Sequence, residues 1–560
     1  MNHESRATII LVCALALAGA AATALAAMPS VRYSSYRDGL DLAGEGYAVR
    51  GDLVSGRFSF RTPDRRLEWV ELAVAVAVNG KDIGPWSLVR TANEQGSAAS
   101  RVVAYTNGLS RAELEFLPGK AVFRVSIDAR KIGQVSTVTL GAGSRADSDW
   151  LFDPSVESQP YHDFPVRAKR CIRPWLASPP PWVFSYRKES RPGCWSAALE
   201  PDPDRINFNS FGHDGCADGR LGGWSVQFPA CQALSGPRFE PPPLVLRFGD
   251  ADFFAAIERH VGDLVAEGKV RRAARSLPAW HGRTIACTWR FQRGERRRDK
   301  ADEATTEAYV KMLEDSGIDF GTLIIDDFWG GKHGIWEADP KKWRDLRSFV
   351  DRQHAKGRRV LLWVCTDGEG LPRDELVDGY NWNLESAAFR ARLKASARRM
   401  LSSEPGCYDA DGVKFDFTSA MPAAYGSAKD VGCGYILRRF ELLTEALLAV
   451  KPEAILDYQC CNPYFAHTLT MLRLNDYFGV PEHGFDEMRL RARIAGICAP
   501  GALIDTDHVG YGWFSYRGGY EFFQRAGELG VPSLYLSPED LEDVELVSIL
   551  RRQQSVQGQD

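Results

Sequence analysis

None of the 12 cysteines forms a Cys-x-x-Cys pair, and His467, His483 and His508 lack ligand spacing. That pattern speaks against a structural zinc finger or ribbon. The chain also has little charge imbalance. Its 69 Lys and Arg against 73 Asp and Glu leave a net charge of −4, so binding to nucleic acid through phosphate contacts is not expected. Beyond residue 27 no apolar run is long enough to span a bilayer. What remains is 560 residues with 44% hydrophobic content, enough for more than one core and for two to four domains. The 15 Trp and 18 Tyr supply flat, amphipathic rings, which large cores and sugar sites both use.

The first 27 residues read as an export signal. Arg6 precedes the apolar run Ile9 to Leu17, and small residues continue to Ala27. Thr23-Ala-Leu-Ala26 has small side chains at signal-peptidase spacing, with cleavage expected near Ala26 or Ala27. A periplasmic or secreted protein follows, with an uncleaved anchor as the alternative. Cys13 lies in this segment, which leaves eleven cysteines of the 12 in the mature chain. Cys171, Cys194, Cys216 and Cys231 cluster and are the candidates for local disulfides, with no pairing readable.

Two structural grammars follow. Residues 28–277 read as an antiparallel β-sandwich. Glu68 to Val78 and Ala121 to Ile127 alternate or run β-branched, and Asn79-Gly80 and Asn107-Gly108 mark turns. The Pro-rich stretches 178–182 and 240–243 read as loops or edges. From 278 to 550, short apolar strands alternate with amphipathic helices. Strands are expected at 284–289, 323–327, 359–364, 412–417, 454–458, 471–476, 502–505 and 532–536. Eight strand–helix units in about 270 residues fit a (β/α)8 TIM barrel, with a doubly wound sheet as the alternative.

In such a barrel the chemistry sits at the C-terminal strand ends. Those positions are Trp289, Asp326, Asp327, Trp363, Lys414, Asp416, Cys460, Arg473, Asp476, Asp505 and Asp507. Carboxylates accept hydroxyl hydrogens, and a Trp face covers the apolar side of a pyranose, so a sugar suits this ring.

Three motifs carry a family resemblance. Ile325-Asp326-Asp327-Phe328-Trp329 resembles an "IDDGW" strand end. Gly412-Val-Lys414-Phe-Asp416 resembles a "K-x-D" nucleophile strand. Arg473-Leu-Asn-Asp476 falls where an Arg precedes an acid/base Asp. Cys460-Cys-Asn-Pro463 and Ile504-Asp-Thr-Asp507 add support. Together, on successive strands, they resemble the retaining α-galactosidases of glycoside hydrolase clan D, families 27 and 36, and family 36 more closely. The resemblance implies cleavage of a terminal α-linked galactose, or a related α-glycoside, by double displacement with no cofactor and no metal. Asp416 is then the nucleophile and Asp476 the acid/base. Asp326 and Asp327 bind sugar hydroxyls, Lys414 keeps Asp416 ionised, Trp363 forms an apolar wall, and Cys460 and Arg473 line the pocket.

Other readings stay open. Asp416 with Lys414 also suits a structural ion pair, Asp326 and Asp327 a capped turn, Trp363 and Cys460 core filling. Asp505 and Asp507 suit a turn or a Ca²⁺ ion. His467, His483 and His508 read as surface or core residues. The family glycine of "IDDGW" is Phe328 here, and the Arg473–Asp476 spacing is one residue shorter than in some relatives. Glu482 and Asp486 are therefore alternatives for the acid/base. A galactosyl transferase resembling raffinose synthase, and a non-catalytic carbohydrate-binding barrel, are the rival functions.

Overall fold

The computed structural model describes residues 30–557 apart from 37, 64–69, 90–94, 129, 131–134, 136, 144–149, 153–170, 173–182, 189–190, 204–209, 214–223, 230–237, 273–275, 295–300, 419–432, 460, 478–480 and 510–518. The expected export signal, Cys13, Cys216, Cys231, Cys460 and the 178–182 stretch lie outside the described residues.

The strand Val70–Val78 alternates strictly between buried and half-buried side chains, as a strand with one face on a core must. It turns back through Asn79 and Gly80, both at positive φ, so that Val78 pairs with Lys81. This is the two-residue hairpin that Asn-Gly favours. Hairpins of this kind build two ten-stranded sheets. Their inner faces meet in a shared core, where Phe60 of one sheet stacks on Phe248 of the other at 4.9 Å.

One segment of the expected β-rich region is helical. Phe253–Ala266 forms a helix capped by Asp252, whose carboxylate accepts from the Ala255 N–H at 2.8 Å. Phe253, Ala256, Ile257, Val261 and Leu264 recur at helical spacing and are buried. Phe253, Ile257, Val261 and Leu264 join the barrel core rather than the sandwich core. This helix ties the two halves together, as does Tyr464, whose hydroxyl donates to the Pro201 carbonyl at 2.7 Å.

The barrel has eight parallel strands: β1 (Ile285–Cys287), β2 (Thr322–Ile325), β3 (Arg359–Cys365), β4 (Gly412–Asp416), β5 (Ile455–Tyr458), β6 (Met471–Arg473), β7 (Leu503–Asp505) and β8 (Ser533–Leu534). Neighbours in sequence pair in space, and β1 pairs with both β2 and β8. A single bridge, Asp505 to Val531, nearly closes the ring between β7 and β8. The strands fall at the expected places, and all but β3, which runs one residue longer, are shorter than expected. Gly412 opens β4 because a Cβ there would lie 2.2 Å from the Ile455 carbonyl oxygen, so close pairing with β5 requires glycine. Among the described residues, no helix is long and apolar enough to cross a membrane.

Candidate active site

β2 and β4 deliver the first half of the ring. Asp326 follows β2 and is 2% exposed. Its Oδ2 accepts from Lys414 Nζ at 2.6 Å and from the Cys287 thiol at 3.0 Å. Burial opposes the Lys414 charge, but Asp326, Cys287 and Asp416 together outweigh it and raise the lysine's pKa. Lys414 was expected to serve Asp416. The structure instead pairs it with Asp326, because its side chain enters the barrel interior, where the β2 carboxylate is in reach.

Arg473, at the end of β6, is the cation that meets Asp416. It is 3% exposed. Its Nη2 lies 3.2 Å from Asp416 Oδ1, and its Nη1 lies 3.0 Å from Asp507 Oδ2 and 3.6 Å from Asp476 Oδ1. Burial works against the arginine's charge, and Asp507 and Asp416 more than offset it. Asp507 is pulled below its ordinary range in the same way: burial raises it, and Arg473 and His508 lower it further. The guanidinium is a rigid plane, so the Asp416 and Asp476 oxygens it faces are no more than about 9 Å apart. Asp416 also accepts from the Phe417 N–H at 2.9 Å and from Trp363 Nε1 at 3.3 Å. Trp363 is thus a hydrogen-bond donor to the candidate nucleophile as well as a wall.

Sequence reasoning missed three residues. Gln459, in the amide orientation that satisfies both its ends, donates to Asp416 at 2.9 Å and accepts from Arg473 at 3.0 Å. His508 is 3% exposed, not a surface or plain core residue. Its Nδ1 lies 3.3 Å from Asp476 Oδ1 and 3.4 Å from Asp507 Oδ1, and its ring stacks on Tyr535 at 4.6 Å. Burial lowers its pKa, but Asp476 and Asp507 carry it up to about 9. His333, from a hairpin after β2, bridges Asp327 and Asp367 at 3.0 and 3.2 Å. Hydrogen bonds to Asp327, Asp367 and Cys365 raise it to about 12. Histidines join acids more than 30 positions away in two of these contacts, which no local spacing reports.

The alternatives for the acid/base separate clearly. Glu482 and Asp486 are exposed, and Asp486 pairs with Arg489 at 2.7 Å. Asp476 faces Arg473 and His508. Asp505 lies below, accepting from Ser533 and from the Asp507 N–H. Burial and then Asp507 push its pKa up, and burial and then Asp505 push Asp457 up further. Neither acid has a Lys or Arg within salt-bridge reach among the described residues.

Backbone strain concentrates at the same rim. Six described non-glycine residues have positive φ, and four of them are Phe328, Phe417, Asn475 and Asp507. Each is in or beside a ring acid at the end of β2, β4, β6 or β7. Strain of this kind persists where surrounding structure enforces it and clusters at functional sites. Phe328, where "IDDGW" has glycine, stands at φ 71°, a left-handed position that favours glycine. A cavity of about 170 Å³ opens here, lined by Asp327, Phe328, His333, Trp336, Trp363 and Glu369 among others. A larger cleft of about 450 Å³ includes Arg111, Arg238 and Lys269 in its lining. None of the ring acids lines it.

No protein-family model matches the chain, and no curated protein does. Solved structures share its fold. One is a GH31 family sulfoquinovosidase from E. rectale, at TM-score 0.53 and 12% identity, covering 89% of this chain and 80% of that one. Another is a cycloalternan-degrading enzyme from Trueperella pyogenes, at TM-score 0.52 and 13% identity, covering 95% of this chain and 80% of that one. The chain therefore has the sandwich-plus-(β/α)8-barrel architecture that these two enzymes have.

Proposed function

We propose that this protein is a retaining glycoside hydrolase acting on α-glycosides. Asp416 is the nucleophile and Asp476 the acid/base. One observation carries the reading. The ring acids Asp326, Asp327, Asp457, Asp505 and Asp507 are all buried, whereas the side chains of Asp416 and Asp476 are 25% and 29% exposed. The two accessible acids face one guanidinium. Retaining pairs sit roughly 5–5.5 Å apart and inverting pairs roughly 6.5–9.5 Å, and the limit set by Arg473 admits both. It speaks against a purely binding barrel, for which no such pairing is needed.

In this mechanism Asp416 attacks the anomeric carbon and forms a glycosyl ester as the aglycone oxygen takes the Asp476 proton. Asp476 then removes a proton from water, which attacks the same carbon and frees Asp416. Asp327 and Trp363 flank the bound ring, and Lys414 holds Asp326 in place. For the sugar we favour galactose or a close relative, on the three sequence motifs. The fold neighbours include enzymes named for other sugars, so a panel of nitrophenyl α-glycosides is the first test. Asp416→Ala should abolish release by several orders of magnitude. Undiminished activity in that variant refutes the mechanism. Asp476→Ala should keep activity on activated leaving groups and recover with azide. Release from other α-glycosides but not from the galactoside removes galactose alone. On residues 1–27 we propose export to the periplasm or medium, and recovery of the protein in the cytoplasmic fraction would reject this.

A further inference from the structure

Three clusters among the described residues bring carboxylates and a histidine within metal-binding reach. Two already hold fixed cations. In Asp476–Asp507–His508, Arg473 sits 3.0 Å from Asp507. In Asp351–His354–Asp409, Lys451 and Arg347 face Asp409 at 2.9 and 3.6 Å. An added divalent ion would meet like charge in both. The third cluster, His333, Cys365 and Asp367, has its donor atoms within 4.8 Å of one another. Within salt-bridge reach, and among the described residues, only His333 faces Asp367 and Glu369.

Cys365 ends β3, and Asp367 and Glu369 follow at alternate positions. The chain bends at Asp367 and turns at Glu369, whose N–H donates to Asp367 Oδ1 at 3.1 Å. The Cys365 Sγ lies 3.2 Å from Asp367 Oδ2. His333 Nδ1 lies 3.2 Å from the same oxygen and 3.7 Å from Glu369 Oε2. A tetrahedral ion with bonds of roughly 2.0–2.3 Å holds its donors roughly 3.3–3.7 Å apart. The opposite ring nitrogen, Nε2, faces Asp327 at 3.0 Å. A carboxylate in that position fixes the orientation of a ligating imidazole.

The backbone holds the two donor segments together. The Gly334 N–H donates to the Glu369 carbonyl at 2.9 Å, and a Cβ at Gly334 would lie 2.6 Å from that oxygen. Trp382 Nε1 donates to the Asp367 carbonyl at 2.9 Å. The donors therefore stand on a fixed frame rather than on mobile tips.

We propose that Cys365, Asp367 and His333, with the more exposed Glu369 as fourth donor, form a zinc site beside the Asp327 pocket. Thiolate, imidazole and carboxylate together suit Zn²⁺, whereas Ca²⁺ and Mg²⁺ take oxygen donors. Binding displaces two protons, one from the thiol and one from Nδ1, and leaves Nε2–H on Asp327. The site goes beyond the glycosidase reading. Two of its donors, His333 and Glu369, line the cavity beside Asp327, so it would act on the sugar pocket by fixing them and, through His333, Asp327.

The test reads metal, not activity. Full-length protein, dialysed without chelator, is assayed for zinc by mass spectrometry and titrated with Co²⁺. We expect one zinc per chain and a Co²⁺ spectrum with a thiolate charge-transfer band. Cys365→Ser should remove the band, while Cys407→Ser, at another buried cysteine, should leave it. Glu369→Gln, at an exposed position that does not endanger folding, should weaken Zn²⁺ binding by roughly tenfold or more. The proposal is overturned if no zinc is bound, if the Co²⁺ band survives in Cys365→Ser, or if Glu369→Gln binds Zn²⁺ as the parent does.

Discussion

Arg473→Met isolates the contribution of the shared guanidinium. Arg473 is 3% exposed and faces Asp507, which is fully buried. Removing one member of a buried pair costs about 3–5 kcal/mol, because the other charge is left without a partner. For a domain of this size that lowers the melting temperature by on the order of 10 °C. The sandwich and barrel need not unfold together, so the barrel transition is followed by pulse proteolysis. In an Asp507→Asn background no buried charge is orphaned at that position, and the same substitution should cost about 2 kcal/mol less. The pH dependence should also reverse. In the parent, Arg473 and His508 depress Asp507 against burial, so its contribution is present above the unfolded carboxylate pKa and lost as pH falls through the lower folded value. In Arg473→Met, burial dominates and raises Asp507. Stability should then fall as pH rises through that raised value, so acidification from pH 7 toward 5 should stabilise the variant. Equal costs in both backgrounds, with no gain on mild acidification, would refute the reasoning.

Three further outcomes follow from the same geometry. The His508 pKa is raised to about 9 by Asp476 and Asp507, so its stabilisation is complete below the ordinary histidine value and lost as pH rises through 9; His508→Gln should flatten the stability profile between about pH 6.5 and 9. Phe328→Gly should relieve about 1 kcal/mol of left-handed strain, whereas Phe328→Val at φ 71° should destabilise, and thermal melts of the two variants should move in opposite directions. Lys414→Met orphans Asp326 and should lower the melting temperature, with Asp326→Asn in the same chain restoring part of the loss.

Fold was more legible than site. Val70–Val78 announces itself by strict alternation, and the barrel by apolar runs of strand length between helices. The helix Phe253–Ala266 was hidden because it follows a long β-rich stretch, although its apolar spacing is helical. Within the site, Asp416, Arg473 and Asp476 were legible because strand ends locate them. The partner of Lys414 was not. Asp326 lies 88 positions away, and only barrel closure makes it nearer than Asp416 two residues on. His333 and His508 escaped for the same reason. The closeness of Cys365, Asp367 and His333 depends on a bend at Asp367 and on the hairpin after β2, which a search for paired cysteines passes over.

The division of cations bears on how one carboxylate could serve as acid and then as base. Lys414 pairs with Asp326, and Asp416 and Asp476 both face Arg473. While Asp416 is ionised, its negative charge opposes ionisation of Asp476. At roughly 8 Å and an effective dielectric constant near 20, that repulsion is about 2 kcal/mol. Esterification of Asp416 removes it. Arg473 and His508 then face Asp476 and Asp507 alone among these acids. In the proposed double displacement, esterification of Asp416 thus removes one of the negative charges that face the shared guanidinium. A separate cation for each acid would weaken this linkage, because the charge lost at Asp416 would free nothing for Asp476.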